Sequence, residues 1–342
     1  MTLEIRPIDL RQASEAEYLA LHEFQNRMRA EAQPDDPPIP FEERIATLRN
    51  LPPVVKVWVW TLWEGGEVVA GSSVSYLDLP ENRHLLEADV GVLPSHRRRG
   101  LARRLMAPAA ELAGQTGRTL LMGNTTARVP AGEAFMERLG AERGLESHTN
   151  QLLLAEVDRE LLGRWLREAP TADFELHFWE GPYAEADLHE VVRVLQVVMS
   201  DQPKDRLEME DVKVTPEMLR QVEQMQLAAG GQRWTYFVRE KATGRFAGYT
   251  EVTWNPHRPD LLQQQGTGVF PEFRGRGLGR WLKAAMIHKV LAERPEVSKI
   301  RTGNADSNAP MLKINHGLGF KPYLSRATWQ VGLDKVLAYL NG

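Results

Sequence analysis

Apolar positions from Ser14 to about Ala32 recur at helical spacing, with Ser14 placed to cap the helix and Glu17 three residues on to complete a capping box. Leu3-Glu-Ile-Arg-Pro before it reads as a strand, and Phe41 to Asn50, after the rigid acidic stretch Gln33 to Pro40, reads as a second helix. The pattern then changes to strands. Val54 to Trp63 and Val68 to Tyr76 flank a turn at Glu64-Gly-Gly-Glu67, and Ala88 to Leu93 adds a third strand. Leu101 to Gly114 predicts a helix, Thr119 to Gly123 a strand, Ala131 to Leu139 a helix and Asn150 to Val157 a closing strand. Arg159 to Glu168 predicts a connector helix.

The order then repeats. Phe174 to Glu180 is a strand, Leu188 to Met199 a helix, and Ser200 to Val214 a charged loop. Thr215 and Pro216 open the next helix. Trp234 to Arg239 and Phe246 to Trp254 form a hairpin, followed by a strand from Leu262 to Phe270 and a helix to about Arg294. Lys299 to Thr302, Pro310 to Leu318 and Ala327 to Val331 complete the set as strand, helix, strand. The middle strands of each set form an antiparallel meander, which excludes a doubly wound fold. The expected architecture is layered α/β (α+β): two tandem domains, each a mixed, largely antiparallel sheet flanked by helices. The expected bounds are 1–157 and 173–342, with 158–172 as connector.

The repeat is sharpest between strand and helix. Gly91-Val92-Leu-Pro94-Ser-His-Arg97-Arg-Arg99-Gly100-Leu101-Ala102-Arg-Arg-Leu105 returns as Gly268-Val269-Phe270-Pro271-Glu-Phe-Arg274-Gly275-Arg276-Gly277-Leu278-Gly279-Arg280-Trp-Leu282, 177 positions on. Val69-Ala-Gly71 and Phe246-Ala-Gly248 keep the same spacing, and Leu139-Gly-Ala141 and Leu318-Gly-Phe320 lie 179 apart. Three landmarks in order identify an internal duplication.

Composition narrows the function. A length of 342 residues suits two domains, and 42% apolar with 26% charged residues is ordinary for a globular chain. A net charge of −4 speaks against a nucleic-acid partner. With no cysteine there is no disulfide, thiolate metal site or cysteine nucleophile, and no metal is called for. The charged N-terminus is unlike a signal peptide, and no apolar run nears the ~20 residues of a membrane span. A cytoplasmic protein, monomeric or homodimeric and with no membrane partner, is expected.

A strand-loop-helix with close-set glycines presents backbone N–H groups to phosphate. A P-loop would need Gly-Lys-Ser/Thr, and Gly279 is followed by Arg280-Trp281. A dinucleotide fingerprint would need glycine at 280. The diphosphate of coenzyme A remains. Arg274, Arg276 and Arg280 would surround it with positive charge, while Gly277 and Gly279 would allow close approach of the backbone.

Here the chain resembles the GNAT superfamily of N-acetyltransferases. Both loops match its acetyl-CoA signature, V-x-P-x-x-R-x-x-G-x-G/A, and Asn304 to Phe320 matches its later N…M/A…Y…LGF signature. The tandem layout looks like that of the mycothiol synthases and their relatives. The resemblance implies two GNAT-like domains, acetyl-CoA as co-substrate and a primary amine, on a small molecule or peptide, as acceptor. It assigns cofactor contacts to Val269, Phe270, Arg274, Gly275, Arg276, Gly277, Leu278, Gly279, Arg280, Asn304, Asn308 and Asn315. In the first half the matching loop positions are Val92, Arg97, Arg99, Gly100, Leu101 and Ala102.

The departures point to the second half as the working one. Family members commonly carry a tyrosine to protonate the departing thiolate, where this chain has Asn315 and, in the first half, Met136. Asn308 is kept in the second half and replaced by Val129 in the first. The resemblance places the oxyanion donor on the backbone at Thr267, Gly268 or Val269. Glu251, on a neighbouring strand, is the first candidate for the general base, with an exposed strand carboxylate as the other reading. Tyr323 is a candidate acid, and Glu87 or Asp89 would be bases if the first half worked. The acidic residues of the loop, Asp201, Asp205, Glu208, Glu210 and Asp211, would suit a cationic acceptor. A coenzyme A-binding regulatory or scaffolding protein without transfer activity is the alternative.

Overall fold

The computed structural model describes residues 3–342. In chain order it contains β1 (Ile5–Ile8), α1 (Glu15–Ala32), α2 (Phe41–Arg49), β2 (Val55–Glu64), β3 (Glu67–Leu77), β4 (Leu85–Val92), α3 (Leu101–Gln115), β5 (Leu120–Thr126), α4 (Pro130–Arg138) and β6 (Glu142–Leu153). After α5 (Arg159–Arg167) come β7 (Phe174–Glu180), α6 (Leu188–Ser200), α7 (Pro216–Ala228), β8 (Gln232–Glu240) and β9 (Phe246–Trp254). β10 (Leu261–Val269), α8 (Leu278–Glu293), β11 (Lys299–Ala305), α9 (Ala309–Gly317), β12 (Lys321–Gly332) and α10 (Leu333–Asn341) complete it. The capping box that opens α1 forms as read, with Ser14 and Glu17 each bonded to the other's backbone N–H. Among the described residues, no helix is long and apolar enough to cross a membrane.

Two compact units result. Unit 1 comprises Met1–Glu146, Lys204–Val212 and Ser325–Gly342, and unit 2 comprises Ser147–Pro203 and Lys213–Leu324. These differ from the contiguous halves 1–157 and 173–342. The strand expected to close the first sheet pairs with β11 in unit 2, over residues 147–153 and 299–305. The strand expected to close the second pairs with β5 in unit 1, over residues 326–332 and 120–126. Both closing strands follow equivalent helices and offer equivalent antiparallel ladders, so their sequence pattern does not name a partner. Side chains then suit each exchange. Trp329 donates to Thr125 at 2.8 Å in unit 1, and Asn150 donates to Asn304 at 3.3 Å in unit 2.

The acidic loop is also redistributed. Residues 204–212 belong to unit 1, where His84 meets the Glu208 carbonyl at 2.9 Å and Asn82 exchanges bonds with the Glu210 backbone at 2.7 and 3.0 Å. Gln330 clasps the same segment through Glu208 N and Arg206 O. The backbone of this segment is therefore tied into unit 1, while Glu208 and Glu210 remain exposed.

Each sheet is antiparallel except at one place. Unit 1 runs β1-β2-β3-β4-β5-β12 and unit 2 runs β7-β8-β9-β10-β11-β6. The parallel pair β4 and β5 holds for only three residues, Leu85–Glu87 against Leu120–Met122. The pair β10 and β11 holds for only Leu261–Gln263 against Lys299–Arg301. Beyond these points each strand keeps only its outer neighbour, so both sheets split open. Helix α8 packs behind the split of unit 2 with Leu278, Leu282, Ala284, Met286 and Val290 buried, and α3 does the same in unit 1 with Leu101, Leu105, Ala109 and Ala113.

Candidate active site

The loop before α8 carries two left-handed residues, Gly275 (φ 77°) and Gly277 (φ 82°), where a side chain would be strained. Unit 1 has the same turn with Gly100 (φ 74°) and Arg98 (φ 63°), so a non-glycine residue there bears strain that Gly275 avoids. Gly277 and Gly100 are required by conformation more than by crowding. Nothing lies within 4 Å of a Cβ built on Gly100, and only the tip of Arg280 lies near one on Gly277. Neither helix has a side-chain cap or an acidic residue in its first turn. Their first N–H groups thus face an open cradle, which fits a diphosphate.

The arginines are arranged differently from the sequence expectation. Arg274 turns back to bond the Val269 carbonyl at 3.0 Å and pairs with Asp201. Arg97 repeats this with Val92 O at 3.0 Å and Glu31 at 2.7 Å. These two hold the loop on its strand. Arg276 lies over Phe174 and Phe273, and Arg280 over Trp165, so their charge stays at the loop surface.

The opening of unit 2 is shaped by a bulge. β9 and β10 pair in one register through Val252–Gln264 and resume one residue shifted at Thr250–Thr267. Unit 1 has no bulge there, since β3 and β4 pair in one register from Ala70–Val92 to Ser75–Glu87. Buried Gln264 braces the bulge by donating to the Glu251 carbonyl at 2.7 Å and Thr250 Oγ1 at 3.1 Å, while Thr250 and Thr267 share a bond of 2.7 Å. Gly268 lets α6 seat against the strand, because a Cβ there would overlap Val198.

Glu251 sits opposite this bulge, in β9. It is not the exposed carboxylate of the other reading. Its side chain is 13% exposed, accepts a hydrogen bond from Tyr183 and stands 3.8 Å from Arg233 Nε. Arg233 is itself paired with Glu223, whose other oxygen takes Arg220 at 2.6 Å. Burial pushes the Glu251 carboxyl above the usual carboxylate range, and Arg233 and the Tyr183 hydroxyl partly oppose that. Tyr183, Arg233 and Glu223 were not singled out from sequence. They come from separate elements: the β8–β9 ladder places Arg233, the turn after β7 places Tyr183, and α7 places Glu223.

The ladders also correct the repeat. Leu93 N bonds Val69 O as Phe270 N bonds Ala247 O, an offset of 247 − 69 = 178 for these strands, one more than the sequence match suggests. The unit 1 counterpart of Glu251 is therefore residue 251 − 178 = 73, an exposed serine.

A second buried polar chain lies on the β11 side of the opening. Lys283, 1% exposed on α8, donates to Asn315 Oδ1 at 2.7 Å, and Asn315 donates to Asn304 Oδ1 at 2.8 Å. Burial lowers the Lys283 ammonium to about 7. Asn308 caps α9 through Met311 N at 3.4 Å. Tyr323 stacks under the Arg301 guanidinium, 3.9 Å from its ring centre.

Lys283 carries a stability cost with a defined sign. An unfolded lysine titrates near 10.4, so the folded protein binds fewer protons between about pH 7 and that value. Stability therefore rises with pH across this window, and the full penalty, on the order of 4 kcal/mol, is present below about pH 7. Lys283→Met should raise the melting temperature at pH 6.5 and remove this part of the pH dependence. Thermal unfolding of both proteins at pH 6.5 and 9 checks it; an equal shift at both values would contradict it.

In unit 1 the opening is a cavity lined by Asp89, Met106, Met122, Gly123, Phe135 and Met136 among others. Burial raises Asp89, which accepts from Asn124 N at 3.4 Å, and burial also raises Glu87.

A split sheet backed by a helix whose uncapped N-terminus opens a glycine cradle makes an opening with an anion-binding rim. The model of the acetyltransferase (GNAT) family matches residues 18–141 and again 206–320, and the chain belongs to that family. It is an acyltransferase with two GNAT repeats. Among solved structures it is similar to a tandem GNAT protein from the clavulanic acid biosynthesis pathway, at 27% identity and TM-score 0.79, covering 97% of this chain and 99% of that one. It also shares its fold with a GCN5-related N-acetyltransferase from Sphaerobacter thermophilus, at 14% identity and TM-score 0.67, covering 97% and 96% of the two chains. No curated protein matches the chain significantly.

Proposed function

We propose that the protein moves the acetyl group of acetyl-CoA directly to a primary amine, with the working site in unit 2. The observation that carries this reading is the buried Glu251–Tyr183–Arg233 arrangement opposite the β10 bulge, where unit 1 has only Ser73. Acetyl-CoA supplies the acyl group as a thioester. The Gly275–Arg280 loop and the first N–H groups of α8 hold its diphosphate. Backbone N–H groups from Thr267 to Val269, along β10, stabilise the oxyanion. Glu251 takes the proton of the attacking amine. An amine with pKa near 10.4 is neutral only about one part in 2,500 at pH 7, so a carboxylate raised above its usual range is a suitable base.

The acceptor is identified by offering labelled acetyl-CoA with polyamines, aminoglycosides, amino acids, amino-sugar thiols and peptides. Transfer to none of them, with slow hydrolysis at most, would count against the reading. The two halves are separated by variants. Gly100→Glu should leave turnover within a few-fold of wild type, because unit 1 has Ser73 and Met136 where unit 2 has Glu251 and Asn315. Loss of turnover in a folded Gly100→Glu protein, with Gly277→Glu still active, would move the site to unit 1.

A further inference from the structure

Transfer to an amine needs two proton movements, and the base accounts for one. The thiolate that leaves must also be protonated, and at the position that the family resemblance assigns to this acid the chain has Asn315, an amide that cannot give up a proton at neutral pH. The group behind Asn315 can. Lys283 Nζ is 2.7 Å from Asn315 Oδ1, and Asn315 passes its own amide to Asn304 Oδ1, which also accepts from Asn150. Asn304 lies in β11 beyond Arg301, past the point where β11 leaves β10. This chain therefore flanks the opening on the β11 side, and Glu251 flanks it on the β10 side.

A comparison of the two units shows that Lys283 and Asn315 go together. Their counterparts are residues 283 − 177 = 106 and 315 − 179 = 136, both methionine and both buried. One unit has a lysine and an amide, the other two thioethers. Met106 shows that an apolar side chain satisfies the packing at this point of the helix. A lysine at the same place, without a carboxylate partner among the described ion pairs and with the Phe320 ring centre 5.5 Å from its Nζ, is costly to bury.

We propose that Lys283 is the proton donor to the departing thiolate, positioned by Asn315. This rests on the acetyl-transfer reading of unit 2 given above. The amine nitrogen bonds to the acyl carbon, and the C–S bond breaks with its electron pair left on sulfur. A proton passes from Lys283 Nζ to that sulfur while Glu251 takes a proton from the amine. Lys283 and Glu251 then return to their starting states by exchange with solvent, so the net change is amine plus acetyl-CoA to amide plus free thiol. The direction is favourable: an ammonium lowered to about 7 is a stronger acid than a thiol near 8.5.

The test uses the full-length protein, as wild type, Lys283→Met and Lys283→Gln. The first reading needs no turnover. In bound coenzyme A, the ultraviolet absorbance of the thiolate should appear at lower pH in the wild type than in either variant, with similar coenzyme A affinity in all three. The second reading varies the leaving group. With acetyl-CoA, kcat should fall about 10²-fold in both variants, the usual scale for a lost acid. With an acetyl thioester of a nitrothiophenol, whose thiol leaves without a proton, wild type and variants should differ by less than about threefold. Equal losses with both donors and an unchanged thiol titration would overturn the proposal, since a packing role predicts both. Acetylation of Lys283 itself, seen by mass spectrometry, would overturn it too. Failure of the wild type to bind coenzyme A in unit 2 would overturn the acetyl-transfer reading and this inference with it.

Discussion

Gly277→Glu is expected to abolish acetyl-CoA binding by unit 2. Two effects act together. The left-handed backbone at φ 82° costs a residue with a Cβ roughly 1–2 kcal/mol, and the new carboxylate would stand in the cradle where the helix N-terminus draws a diphosphate. Juxtaposed like charges cost several kcal/mol, and each 1.4 kcal/mol is tenfold in affinity, so a loss of at least about 10²-fold should appear in calorimetry. Gly277→Ala adds strain without charge and should lose much less. Unchanged affinity in the glutamate variant at this loop would remove the cradle from the binding site.

Glu251→Gln should lower turnover by roughly 10²–10³, the scale of a lost general base. The amide keeps the shape and can still accept from Tyr183, so acetyl-CoA affinity should hold. In the wild type, the acid limb of kcat/KM should lie above the usual carboxylate range, because burial raises the Glu251 carboxyl and its protonated form cannot take the amine's proton. The defect of the variant should shrink as pH rises toward the amine's own pKa, where neutral acceptor becomes plentiful. Wild-type turnover at pH 7 in the glutamine variant, with chemistry rate-limiting, would take Glu251 out of the mechanism.

Much of this architecture could be read from local pattern. The glycines of both loops, the capping box at Ser14 and the meander before each loop are short-range features, and local chemistry specifies them. The bulge was not legible, and it shows only once the pairings are known. Leu85 and Leu261 begin equivalent parallel pairings 176 apart, while Gly91 and Gly268 lie 177 apart, so one residue enters β10 between them. Lys283 could have been found by setting the repeats side by side, where a lone charge in an apolar helix face faces Met106. The Tyr183–Arg233 surroundings of Glu251 could not, because they depend on ladder register, and a one-residue shift turns a side chain to the other face. The partners of the closing strands were equally hidden, since two similar halves offer two similar edges.

That exchange has a consequence for the order in which the protein can be made. The edge of β5 at Leu120–Thr126 is complete early in synthesis, yet its partner lies at Arg326–Gly332. About 200 residues separate them, which at ~5–20 residues per second leaves the edge bare for roughly 10–40 s. A bare edge is a template for pairing with other chains. Nascent chains halted near residue 300 should therefore remain open to protease around β5 and gain protection only after residue 332 emerges, whereas early protection of that strand would mean that the ribosome-bound chain closes in some other way. The halves duplicated in sequence are thus not separable in folding time: the first to be translated is among the last to be finished.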